Sequence, residues 1–279
     1  MGYYVTVESN IQVYVEDLNE KGSETILFLH GWPGDHNLFE YQFDYFSKMG
    51  YRCIGLDQRG FGLSDKPLEG YDYDRLSDDV KCVIDELKLE NITLLGHSTG
   101  GAIAIRYMAR HDECGVSKLV LCAAAAPSLI RRSYFHHGLR EEVVKDIIEQ
   151  TYIDRPKMLT DFARMFFYRP TSKPFQDWFF SLGLKAAGWS TAAVANTWLD
   201  EESLFLDMKK ISVPTLILHG IHDRVCLFPL AEQQKKLIKN SKLVKMTNSG
   251  HGLFYDEREK FNKEVKCFIE NLSDTTKNK

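Results

Sequence analysis

Two spacings of apolar residues succeed one another along this 279-residue chain. Tyr3 to Glu8 and Ile11 to Glu16 alternate apolar and polar positions across Ser9-Asn10, a period of two that predicts an antiparallel hairpin with one buried face. Beyond the hairpin come unbroken apolar runs: Thr25 to His30, Tyr51 to Leu56, Ile92 to Leu95, Ser117 to Cys122 and Val213 to Leu218, with Lys242 to Met246 a weaker sixth. Such runs predict strands buried on both faces of a parallel sheet. Between them, Tyr73 to Leu89 sets Leu76, Val80, Val83, Ile84 and Leu87 on one helical stripe, and Phe261, Val265, Phe268, Ile269 and Leu272 repeat the spacing near the C-terminus. Strands alternating with helices after a hairpin predict an α/β fold, a mostly parallel sheet flanked by helices with right-handed crossovers.

The alternation fails between residues 126 and 210. Short helical patterns rich in Phe, Tyr and Trp appear there, interrupted at Pro127, Pro156, Pro170, Pro174 and Gly188. With no Gly/Ser linker on either side, this segment reads as a helical cap inserted into one core formed by residues 1–125 and 211–279, not as a second folding unit. Ser273 to Lys279 is expected to fray.

Composition narrows the function classes. The net charge is −4 and no Lys/Arg stripe is interleaved with aromatics, so nucleic acid is not an expected partner. No charge-free stretch reaches the roughly 20 apolar residues of a membrane span. Residues 3–16 read as mature strands and not as a secretory signal, and Met1 to Thr6 matches a bare myristoylation pattern with no polybasic second anchor behind it. Six cysteines lie scattered without a CxxC pair, most in apolar stretches, which fits a reducing, cytoplasmic compartment.

Gly96-His97-Ser98-Thr99-Gly100 fits G-x-S-x-G between a buried strand and an apolar helix. Small flanking residues let the backbone close a sharp turn that lifts the Ser98 hydroxyl above the sheet edge. A serine hydroxyl is a poor nucleophile at neutral pH and needs a base, itself oriented by a carboxylate. His251, between two glycines after the sixth run, and Asp223, after the fifth, offer these at the same carboxyl edge of the sheet. The backbone N–H groups of Trp32, in His30-Gly31-Trp32-Pro33-Gly34, and of Thr99 are the expected oxyanion donors. Reading His219, His222 and Asp223 as metal ligands fails, because His-x-x-His at a strand end splits the imidazoles and no fourth ligand is spaced to join them. No metal, cofactor or dinucleotide motif is found.

These motifs, with Asp57 to Ser64, Gly70-Tyr71-Asp72-Tyr73 and Gly220-Ile221-His222-Asp223, resemble the α/β-hydrolase fold, and within it the cofactor-free haloperoxidase and aryl-esterase branch, over about residues 10 to 272. The resemblance implies a carboxylic-ester substrate and an acyl-enzyme on Ser98 that water or hydrogen peroxide resolves. Peracid-forming members carry Pro after the oxyanion residue, as at Pro33; many also carry Met after the nucleophile, where this chain has Thr99. Ser64 is assigned no catalytic role. A C–C bond hydrolase or enol-lactonase would use the same three residues, with a cation for the substrate carboxylate from Arg131, Arg132, Arg155, Arg164 or Arg169. A low-turnover ligand sensor of the same fold is the third reading. Dehalogenases and epoxide hydrolases need a carboxylate where this chain has Ser98. Oligomeric state is not encoded.

Overall fold

The structure is a computed structural model describing residues 1–271. Leu272 and the expected fraying of Ser273 to Lys279 lie outside the described residues. The chain opens with β1 (Gly2–Glu8) and β2 (Ile11–Leu18), a hairpin in which Val5, Val7, Val13 and Val15 form the buried face. Then follow β3 (Thr25–Leu29), α1 (Glu40–Lys48), β4 (Arg52–Leu56), α2 (Tyr73–Glu86), β5 (Ile92–His97), α3 (Thr99–Arg110) and β6 (Val116–Cys122). Five helices intervene before the next strand: α4 (Glu141–Ile153), α5 (Arg155–Phe166), α6 (Lys173–Lys185), α7 (Gly188–Asp200) and α8 (Leu204–Lys210). The chain closes with β7 (Thr215–Gly220), α9 (Pro229–Leu237), β8 (Ser241–Met246), α10 (Leu253–Asp256) and α11 (Arg258–Ile269). Among the described residues no helix is long and apolar enough to cross a membrane.

All eight strands form one sheet in the order β1-β2-β4-β3-β5-β6-β7-β8, parallel from β4 onward. The six apolar runs are its six parallel strands. β8, the weakest run, pairs only with β7 and sits half-exposed at an edge, so it needs fewer apolar residues. Element ends differ from the expected ones by a few residues: β7 starts after Pro214, β5 continues to His97, and α2 stops at Glu86.

Pro156 and Pro174 do not interrupt helices. They stand in the first turns of α5 and α6, where a missing N–H loses no bond, behind side-chain caps from Asp154 and Ser172.

Register brings the loops that matter to one edge. Leu29 pairs with Gly96, His97 with Cys122, Cys122 with Leu218 and Gly220 with Met246, so the segments after β3, β5, β7 and β8 all leave the sheet at its carboxyl end.

Candidate active site

Ser98 occupies the turn between β5 and α3 with φ +53°, in the left-handed half of the map that non-glycine residues avoid. Tight packing holds it there. A Cβ on Gly96 would stand 2.4 Å from the Gly100 carbonyl oxygen, and one on Gly100 would stand 2.3 Å from that of Leu29. Thr99 opens α3, whose first N–H groups have no partner within the helix. The β3 loop presses on the same turn, since a Cβ on Gly31 would lie 2.9 Å from Ser98 Cβ, and this sets Trp32 beside the serine. His30 fixes that loop: its Nδ1 meets the Gly31 carbonyl at 3.1 Å and its Nε2 accepts the Gln58 N–H at 3.0 Å. Burial lowers the His30 pKa, in keeping with a neutral ring.

Asp223 and His251 meet directly, Oδ2 to Nδ1 at 2.8 Å, with both side chains fully buried. Asp223 is not a solvated turn residue. Its Oδ1 accepts the N–H groups of Val225 and Cys226 at 2.8 and 2.9 Å, and His219 Nε2 lies 3.3 Å from Oδ2. Burial pushes this carboxyl up, but the charge of His251 and the hydrogen bonds from His219 and His251 outweigh it and hold it well below the usual carboxylate range. His222, by contrast, is exposed and stacks on Tyr168 at 3.9 Å, so His219 and His222 point into different surroundings.

The far nitrogen of His251, Nε2, is buried and has no hydrogen-bond partner. Ser98 Oγ has its contact with Cys226 Sγ at 4.0 Å. The structure thus brings Asp223 and His251 together, with Ser98 tied to the same loop through Cys226 but not hydrogen-bonded to His251. Such bonds are often long without substrate.

Two neighbours carried no signal in the sequence pattern. His97, hidden in the elbow motif, brings its Nε2 to 3.0 Å from the His251 carbonyl, and burial drives its pKa well below that of an ordinary imidazole. Cys226 packs beside the serine hydroxyl, and burial pushes its thiol well above the ordinary range. Ser64 plays a backbone role, donating to the Asp57 carbonyl and accepting from Tyr14 N–H.

A cavity of about 50 Å³ opens over Ser98. Its wall is apolar: Trp32, Leu129, Val143, Ile147, Phe162 and Trp198 stand among its lining residues, and Ser98 and Arg224 are the polar ones. Phe162 and Trp198 meet the Trp32 ring edge-on, at centroid distances of 5.1 and 5.0 Å. The other aromatics of the helical segment pack elsewhere. Phe166 lies 4.9 Å from the His251 ring, Phe167 and Phe179 pack on Phe166, Trp178 packs on Phe175, and Trp189 is partly exposed with its N–H on the Pro67 carbonyl.

Among the described residues, one group has donor atoms close enough to hold a metal: Asp35, His36 and Asp57. Those atoms are already engaged, Asp57 Oδ1 with His36 Nδ1 at 2.8 Å and Asp35 Oδ2 with Lys185 at 2.8 Å.

Residues 24–136 match the family model described as alpha/beta hydrolase fold. The chain is 47% identical to the AB hydrolase superfamily protein YisY of Bacillus subtilis (strain 168), over 96% of this chain and 99% of that one. It is 32% identical to the bifunctional esterase/perhydrolase DCH of Acinetobacter calcoaceticus, covering 95% and 99%. Among solved structures it superposes on an esterase from Exiguobacterium antarcticum with a TM-score of 0.93 and 42% identity, over 97% of this chain and all of that one.

Proposed function

The chain belongs to the α/β-hydrolase superfamily, in the branch of cofactor-free haloperoxidases and esterases, and from that premise we propose that it is a serine hydrolase of carboxylic esters with short acyl groups. One observation carries the reading: the buried Asp223–His251 pair, with Nε2 unpartnered, in the loops beside the strained turn of Ser98.

In this mechanism Ser98 Oγ attacks the acyl carbonyl as His251 Nε2 takes its proton. Asp223, held ionised by four hydrogen-bonding groups, keeps the ring in the tautomer with Nδ1 protonated and stabilises the imidazolium. The N–H groups of Trp32 and Thr99 bind the oxygen on which negative charge develops. His251 returns the proton to the departing alcohol, leaving an acyl group on Ser98. Attack by water, with His251 again as base, releases the acid; attack by hydrogen peroxide releases a peracid. The helices between β6 and β7 act as a cap, and Phe162 and Trp198 limit the acyl chain that the cavity accepts.

Turnover of p-nitrophenyl acetate and butyrate without added metal tests the proposal. Ser98→Ala or His251→Ala should lower kcat by about 10⁴ to 10⁶. Full activity in Ser98→Ala, or its loss to a chelator, overturns it. A protein that binds such esters without turning them over is the ligand sensor instead.

A further inference from the structure

Among the residues that line the cavity over Ser98 one is cationic, and it does not come from the inserted segment expected to supply a cation. Arg131 Nε donates to the Gly138 carbonyl, Arg132 pairs with Glu202, Arg155 binds the carbonyls of Gly183 and Ala186, Arg164 pairs with Asp161, and Arg169 binds Asp256. None of these five lines the cavity; Arg224 does.

Arg224 directly follows Asp223, and this position is set by the chemistry of its neighbour. The Asp223 carboxylate takes the N–H groups of Val225 and Cys226, which curls the loop and leaves the side chain between them at the cavity wall. Arg224 is exposed, so it stands where the cavity meets solvent. Its Nη2 donates to the Arg164 carbonyl at 2.5 Å, a bond that fixes the guanidinium without neutralising it. Among the described residues no carboxylate is found paired with it. The Asp223 carboxylate next to it in the chain is occupied by two imidazoles and two backbone N–H groups. A guanidinium stays charged at any working pH and presents a planar fork that matches a carboxylate.

We propose that Arg224 selects substrates carrying a carboxylate, so that the ester or lactone cleaved at Ser98 is an anionic one, its apolar acyl part in the cavity and its charged end at the mouth. This rests on the ester-hydrolase reading above and names the substrate class for that same site. A substrate carboxylate would meet an already oriented cation beside an apolar wall, where a charge-assisted bond is stronger than in open water.

Two pairs of esters test it, each differing in one charge. On the alcohol side these are 3-acetoxybenzoate and 3-acetoxytoluene; on the acyl side, p-nitrophenyl hemisuccinate and p-nitrophenyl valerate. In at least one pair the anionic ester should be preferred in kcat/KM, and Arg224→Gln should reduce that preference by about tenfold to a hundredfold, the range of a hydrogen bond to a charged group. Arg224→Lys, which keeps the charge, should restore part of it. If Arg224 only ties the loop to α5, thermal stability will fall in Arg224→Gln while both ratios stay as in the parent, and the inference is overturned. Binding of 3-acetoxybenzoate to Ser98→Ala, with and without Arg224→Gln, separates the two levels. Arg224-dependent binding without turnover in the parent sinks the ester reading alone, and turnover blind to charge in both pairs sinks this inference alone.

Discussion

His97 and His251 are joined twice, by a 3.0 Å contact from the His97 Nε2 to the His251 carbonyl and by rings whose centroids lie 4.6 Å apart. Asp223 orients the His251 ring from the side, whereas His97 holds its backbone. Because His97 immediately precedes Ser98, the end of β5 fixes Ser98 and the backbone of His251 in one stretch of chain.

This gives His97 a positioning role that can be separated from packing. His97→Leu keeps the apolar contacts but loses the donor, and should lower kcat by more than it changes KM. His97→Gln retains a donor and should recover part of the kcat. Equal kcat in the two variants, at matched thermal stability, would leave His97 a packing residue.

Asp223→Asn keeps the shape of the carboxylate while allowing the wrong His251 tautomer. Steady-state kinetics should show kcat lowered by about 10⁴, the scale seen on making this change in a serine protease. A loss below tenfold would mean that His97 and the backbone orient His251 without it.

Acid should destabilise the protein in two stages. Burial lowers the pKa values of His97 and His30, so the unfolded chain, with imidazoles near 6.5, binds protons that the folded chain refuses. Their contribution is present in full above about pH 6.5 and is lost as pH falls. Asp223 is held below its unfolded value, so its contribution is present above about pH 3.9 and lost below it. His36 runs the other way: burial works against its charge, but Asp57 outweighs burial and raises its pKa, so its stabilisation is lost as pH rises. Urea midpoints from pH 8 to pH 5 should fall, and fall less in His97→Gln. Parallel curves would remove His97 from this account.

Phe162→Ala should open the Ser98 cavity toward α4 and α5. Truncating a buried Phe costs about 3–5 kcal/mol of stability, and kcat/KM for p-nitrophenyl hexanoate should rise relative to acetate. A fall in stability with an unchanged ratio would assign Phe162 to packing alone.

Pro33 follows Trp32, the proposed oxyanion donor, and has no N–H, which limits the arrangements open to the Trp32 carbonyl. If that carbonyl accepts a hydrogen bond from peroxide bound beside the acyl group, Pro33→Leu should lower the ratio of perhydrolysis to hydrolysis. About 1.4 kcal/mol of discrimination is a tenfold change. An unchanged ratio would make Pro33 a turn residue only.

The parallel strands were legible because burial on both faces leaves little but apolar residues, and the elbow because its Gly-x-Ser-x-Gly stood between a buried strand and an apolar helix. The Asp223–His251 contact followed from strand order, since the two residues lie in the loops that follow the neighbouring strands β7 and β8. What stayed hidden depends on the third dimension. Trp198 faces the cavity and Trp189 solvent, although both lie on α7. Arg224 looks like any charged turn residue until the Asp223 carboxylate is seen to curl the loop. Pro156 and Pro174 read as interruptions because a proline that begins a helix and one that breaks it look alike without the capping geometry.

Apart from β3 and β4, the strands lie across the sheet in the order in which the ribosome makes them. From β6 onward each strand pairs with the one made before it, and the longest gap follows β6, whose partner β7 begins only after residues 123–214 have been made. At about 5–20 residues per second, those roughly 90 positions take on the order of 5 to 20 s. Through that interval the apolar edge Leu119-Val120-Leu121-Cys122 is a site for misplaced pairing. Nascent chains stalled within α4 to α8 should accordingly be the ones that chaperones hold, and shortening those helices should raise the yield of folded protein independently of any effect on activity.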